Sequence, residues 1–193
     1  MVIGVAGKYC AGKNTVVDLL ERHGYSSIDV DSLGHRALDK EKNGIVHTFG
    51  TSVLDNEGNV DRKKLGRMVF GNAHALEKLE RIVHPRMAEM VRTIINEKNR
   101  SKVVINAALL FHMGLDSECD LIFWVKAPLP VRIKRAMKRD SLSLIEAVKR
   151  FWSQRKLTPQ SSGKGAEIYY VQNSGNKRKL KTRVNTILAL KGA

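Results

Sequence analysis

Gly7-Lys8-Tyr9-Cys10-Ala11-Gly12-Lys13-Asn14-Thr15 is the stretch whose reading decides the fold. Its spacing fits G-x-x-x-x-G-K, and its flanks make that spacing meaningful. The apolar run Val2–Ala6 before it reads as a buried strand, and Val16, Val17, Leu19 and Leu20 behind it recur at a helical period. A glycine-bracketed loop between a strand and a helix is the context in which this pattern cradles phosphate. Gly7 and Gly12 let the chain fold back so that successive backbone N–H groups point inward, Lys13 reaches the outer phosphates, and the helix N-terminus adds its dipole. The position after the lysine usually carries a Ser or Thr hydroxyl that ligates Mg²⁺. Here it is Asn14, followed by Thr15, which makes Asn14 the candidate metal ligand. The plainer alternative is a glycine-rich turn before an ordinary helix.

Further strands are expected over residues 25–30, 102–107, 121–125 and, more weakly, 168–172. Strands separated by helical stretches argue for parallel βαβ units, hence an α/β fold with right-handed crossovers. Two stretches break the rhythm. Residues 35–98 hold no good strand core, but helix starts are expected at Asp61 and Asn72, and His84-Pro85 predicts a break before a helix over 87–95. Such an insertion usually builds a substrate site. In residues 128–165, Ser143 and Glu146 form a capping box, and 158–165 is the most loop-like segment of the chain.

A length of 193 residues fits one domain, 1–193, and 42% hydrophobic with 27% charged residues argues against global disorder. The net charge of +15 is unevenly placed: residues 1–125 are +1, whereas residues 126–193 carry 17 basic against 3 acidic side chains. A concentrated positive field attracts polyanions. No apolar run approaches the roughly 18 residues that signal a membrane span. Cys10 and Cys119 are too few for a disulfide framework, and the six histidines fall into no zinc-type spacing. The N-terminus carries no basic region before its first strand, so a cytoplasmic protein is expected.

Two further clusters carry chemistry. Asp31, in Ile28-Asp29-Val30-Asp31, lies past the second expected strand, where ligands of open parallel sheets sit. It reads either as a base for a substrate hydroxyl or as the N-cap of the next helix. Arg132, Arg135 and Arg139 are spaced i, i+3, i+7 and share one helix face with Lys134 and Lys138 nearby. That face suits a lid closing over polyphosphate, or else it is simply solvated. The basic run Lys177-Arg178-Lys179-Leu180-Lys181 reads as an amphipathic closing helix, with nucleic-acid binding the minority reading.

Taken together, these motifs resemble the dephospho-CoA kinase family nearly end to end. Residues 2–15 resemble its strand and phosphate loop. Ile28-Asp29-Val30-Asp31-Ser32-Leu33 resembles its I-D-A-D-x-L motif, and residues 50–70 resemble its G-x-x-V-L-D-x-x-G-x-x-D-R segment. Leu79 to Pro85 matches its L-x-x-I-x-H-P element, Arg135 to Asp140 its lid, and residues 166–175 its closing A-D-x-V-I-x-N-x-G. The resemblance implies a P-loop NTPase-type parallel sheet of about five strands, a helical dephospho-CoA-binding insertion at 35–98 and a lid at 128–165. It implies ATP- and Mg²⁺-dependent phosphorylation of the ribose 3′-hydroxyl of dephospho-CoA. By position, Gly7, Lys8, Tyr9, Cys10, Ala11, Gly12, Lys13, Asn14 and Thr15 hold the ATP phosphates, and Asp31 is the base. Arg135 and Arg139 are lid arginines, Asn173 sits by the adenine, and Arg62, Arg67 and His84 belong to the acceptor-binding insertion. The chain departs from the family pattern at Lys8 and Cys10, which replace glycines, at Asn14, which replaces the metal-binding hydroxyl, and at His112, which replaces an acid. A kinase for another nucleoside or nucleotide, or a weakened phosphate-binding protein without turnover that binds CoA-like ligands or nucleic acid, are the rival readings.

Overall fold

Every residue of Val2–Ala6 is buried, and this run becomes β1, the central strand of a five-stranded sheet. The computed structural model describes residues 1–140, 151, 157–159 and 166–192. The other strands are β2 (Ser26–Asp29), β3 (Val103–Asn106), β4 (Leu121–Lys126) and β5 (Glu167–Gln172), in the order β2-β3-β1-β4-β5. All four pairings are parallel, as expected for strands joined by helical crossovers. Val5 pairs with Asn106 on one side and Phe123 on the other, so β1 and β3 end within a residue of each other while β4 runs on to Lys126. The chain turns to opposite sides of β1 at successive strands, and ligands of open sheets gather at such a switch point.

Helix α1 (Lys13–Glu21) and the last helix, α7 (Lys177–Leu190), cover one sheet face. Ile3, Val5, Phe123, Val125 and Val171 meet Val16, Val17 and Leu20 of α1 and Leu180, Val184, Ile187 and Leu188 of α7. Burying such side chains contributes about 1.5–3 kcal/mol each. Helix α6 (Leu129–Asp140) follows β4.

Met1–Asp29 and Ile95–Ala193 form one compact unit, and Val30–Ile94 forms a second. The second contains α2 (Val30–Lys40), α3 (Lys42–Phe49), α4 (Arg62–Val69) and most of α5 (Ala73–Glu97). Inside it, Arg86 on α5 donates to the Glu41 carboxylate just ahead of α3 at 2.6 Å.

The structure corrects one expectation here. His84-Pro85 does not break the chain: α5 is a single helix of 25 residues with Pro85 inside it. Proline removes one helical hydrogen bond and crowds the preceding turn, a cost of about 3 kcal/mol. Burial of Val83, Met87, Ala88, Met90 and Val91 on the same helix offsets it. The helix start expected at Asp61 is observed, its carboxylate accepting from the N–H groups of Lys63 and Lys64. The Ser143–Glu146 capping box and most of the 158–165 loop lie outside the described residues.

Candidate active site

Between β1 and α1 the loop takes its shape from two glycines. Gly7 has φ 153°, and a Cβ there would collide with the Val125 carbonyl oxygen at 2.5 Å. Gly12, at φ 93°, precedes α1, and a Cβ on it would overlap the Asn173 amide. Cys10 also has positive φ, 58°, although it carries a side chain. A non-glycine residue in this region costs roughly 1–2 kcal/mol, so its surroundings must hold it there.

They do so from two directions. From the end of β5, Asn173 is 3% exposed; its side-chain amide donates to the carbonyls of Ala11 (3.2 Å) and Gly12 (3.4 Å). Its own backbone N–H is fixed on the Lys126 carbonyl at 2.7 Å. From α6, Arg135 donates to the carbonyls of Cys10 (3.4 Å) and Ala11 (3.1 Å) and to both oxygens of Asn173 (3.0 and 3.2 Å). Apolar packing completes the hold, with Tyr9 and Cys10 against Ile133, Ala136 and Phe151.

The arginine face of α6 is therefore not a solvated face, and that alternative is overturned. Arg132 is only 8% exposed, donates to the Tyr9 carbonyl at 2.8 Å and lies 4.6 Å from the Phe151 ring centroid. Burial pushes its guanidinium below the usual arginine value. Arg139 keeps solvent access but sits over the Tyr9 ring at 5.1 Å and pairs with Asp140, whose carboxylate also accepts from the Tyr9 hydroxyl. Arginines at these spacings engage the loop because one helix face meets it.

A cavity of about 570 Å³ opens beside the loop, lined by Lys13, Asn14, Thr15, Arg135, Arg139 and Asn173 among others. Lys138 and Lys177 bring its cations to five, and none of its described lining residues is acidic. The Lys13 ammonium donates to the Gly7 carbonyl at 3.5 Å. At the metal position, the Asn14 side-chain oxygen accepts from the Asn106 amide at 3.2 Å. Asn106 closes β3, is buried, and its own Oδ1 has no hydrogen-bond partner among the described residues. Sequence reading missed Asn106, although the rule that sites form at strand carboxyl ends points to it.

The remaining candidates belong to the second unit. Asp31 is exposed and lies inside the first turn of α2, one residue past its start, so the N-cap alternative is not what the structure shows. An acid there still suits the positive end of the helix dipole. Arg62 opens α4 and Arg67 lies in its last turn, both exposed; His84 is half-buried on α5. No described helix is long and apolar enough to cross a membrane.

A parallel sheet in this order, with a glycine-bracketed lysine loop at its switch point and a cationic cavity beside it, defines a P-loop kinase. The sequence model of dephospho-CoA kinases matches residues 1–178. The dephospho-CoA kinase of Fusobacterium nucleatum is 34% identical over 176 residues, 90% of each chain. Among solved structures, TT1252 of Thermus thermophilus aligns with a TM-score of 0.73 at 30% identity, covering 98% of this chain and 97% of that one. The dephospho-CoA kinase of Campylobacter jejuni aligns with a TM-score of 0.63 at 28% identity, covering 100% and 98%. This chain belongs to the dephospho-CoA kinase family.

Proposed function

We propose that this chain transfers the γ-phosphoryl group of ATP to the ribose 3′-hydroxyl of dephospho-CoA, with Mg²⁺ and in the cytoplasm. The observation that carries the reading is the fastened loop beside a cavity of five cations, because phosphoryl transfer asks mainly for positioning and charge neutralisation. In this reading the loop N–H groups and Lys13 hold the β- and γ-phosphates. Arg135 and Arg139 add positive charge, and Asn173 keeps the loop in shape beside the base. Asp31 takes the proton of the attacking hydroxyl as its oxygen bonds to the γ-phosphorus and ADP leaves. Arg62, Arg67 and His84 bind the acceptor.

Asn14 and the partnerless oxygen of Asn106 are neutral oxygen donors of the kind a hard cation accepts, so the residues fit Mg²⁺. When bound, Mg²⁺ neutralises charge on the phosphates.

The test is ADP release by the purified protein with dephospho-CoA, beside ADP-ribose-type and nucleoside acceptors. Release that depends on dephospho-CoA is expected, and its absence in folded protein would remove the reading. Asp31→Asn should keep ATP affinity while turnover falls about 10²–10⁴-fold, the usual loss of a general base. A loss below tenfold would leave Asp31 no role as the base.

A further inference from the structure

A second cavity, about 660 Å³, lies on the other side of the same loop. Lys8, Trp124, Lys126, Arg132, Tyr170 and Gln172 are among its lining residues, and none of the described ones is acidic. Its walls belong to one compact unit: the loop, the carboxyl ends of β4 and β5, the start of α6 and residues 157–159. Trp124 and Tyr170 pair across the two strands, as do Lys126 and Gln172, so these four project from one sheet face.

Arg132 is the decisive group. It is more than nine-tenths buried, yet its Nη2 has no hydrogen-bond partner and it forms no ion pair among the described residues. Only Nε is engaged, on the Tyr9 carbonyl, with the Phe151 ring against the guanidinium plane. A buried cation without a counter-charge is costly, and native structures normally supply one. Lys126, whose ammonium rests 3.8 Å from the Tyr170 ring centroid, and Lys8 add positive charge around the same space. Guanidinium and ammonium groups around one cavity, with no acidic residue among its described lining, suit tetrahedral oxyanions.

We propose that this cavity is a second phosphate site, which binds a phosphate or pyrophosphate group while a nucleotide fills the first. Lys13, Arg135 and Arg139 line only the first cavity, and Lys126 and Arg132 only the second, so each cavity has cations of its own although both border the loop. The pyrophosphate could come from two sources, the acceptor itself or a free polyphosphate. The inference does not depend on the roles assigned above to Asp31 or to the second unit.

Isothermal titration of inorganic pyrophosphate into protein already saturated with a non-hydrolysable ATP analogue tests it. One pyrophosphate per chain is expected, with the analogue retained. Arg132→Gln and Lys126→Gln should each weaken pyrophosphate by about ten- to a hundredfold, the range of a lost charge-assisted hydrogen bond. Arg132→Gln also removes the bond to Tyr9, so Lys126→Gln is the cleaner variant, and its affinity for the analogue should match wild type. No binding to the saturated protein, displacement of the analogue, or equal pyrophosphate affinity in Lys126→Gln would overturn the proposal. Adding dephospho-CoA then separates the sources. Loss of the pyrophosphate signal assigns the site to the acceptor's own pyrophosphate, and persistence assigns it to a separate polyphosphate ligand; both results uphold the site.

Discussion

Asn14 stands where a hydroxyl is usual, and its side-chain oxygen is already shared with the Asn106 amide. Asparagine also carries that oxygen one bond further from the backbone than serine does, while Mg²⁺ tolerates little departure from octahedral bonds of about 2.0–2.1 Å. Asn14→Ser is therefore expected to lower the Mg²⁺ concentration for half-maximal activity without lowering turnover. A Mg²⁺ titration of initial rates checks this; a higher requirement would show a loop built around the amide. What could be read from sequence at this scale was whatever local backbone chemistry dictates: Gly7 and Gly12, whose positive φ the loop demands, and Lys13 after them. Asn106 could not be read that way, because its role comes from strand register and leaves no local pattern. Arg132 was legible as one of three arginines on a helix face, but not its burial against the loop.

Among the elements, α5 is where sequence and structure part. The rule that a proline ends a helix is local, and the apolar stripe through Val83, Met87, Met90 and Val91 outweighs it. Pro85 itself is exposed, so Pro85→Ala forfeits little packing and restores an N–H. The gain should reach roughly 2 kcal/mol after allowing for the looser unfolded chain, a rise in Tm of several degrees by calorimetry. A fall in Tm would mean the helix depends on its proline. Helix α4 offers a pH-dependent case. The N–H of Lys64 first, then that of Lys63, holds the Asp61 carboxyl below its ordinary 3.8. The unfolded chain thus takes up this proton more readily than the folded one. The stabilisation is present above the ordinary carboxylate value and disappears as pH falls through the lower folded value. Asp61→Asn keeps a capping oxygen but no charge, so its Tm deficit at pH 7 should shrink on acidification and vanish below the folded value. A deficit independent of pH would show that charge plays no part in the cap.

For the whole molecule, alternation of apolar runs and helical periods was enough to read a parallel five-stranded α/β architecture, because the three middle strands are almost wholly buried and read as continuous apolar runs. The fastening of the loop was not readable, since Asn173 and Arg135 reach it from the far half of the chain. That half also carries most of the net +15, which acts in two opposed ways. Like charges strain the folded state, while the same field draws in nucleotide. Raising NaCl from low to moderate concentration should therefore raise Tm and weaken ATP affinity together, as thermal melts and titrations can show. A parallel fall in both would mean that salt simply unsettles the fold. Chain order adds a temporal side to the same fastening. A ribosome extrudes β1 and its loop before β5, and Asn173 follows 162 residues after Ala11. At about 5–20 residues per second that delay is roughly 8–30 s. Throughout it the nascent loop lacks the Asn173 amide, so its full set of fasteners is in place only once β5 has emerged. A product cut short before Asn173 keeps the phosphate-loop residues but lacks the amide that donates to the Ala11 and Gly12 carbonyls.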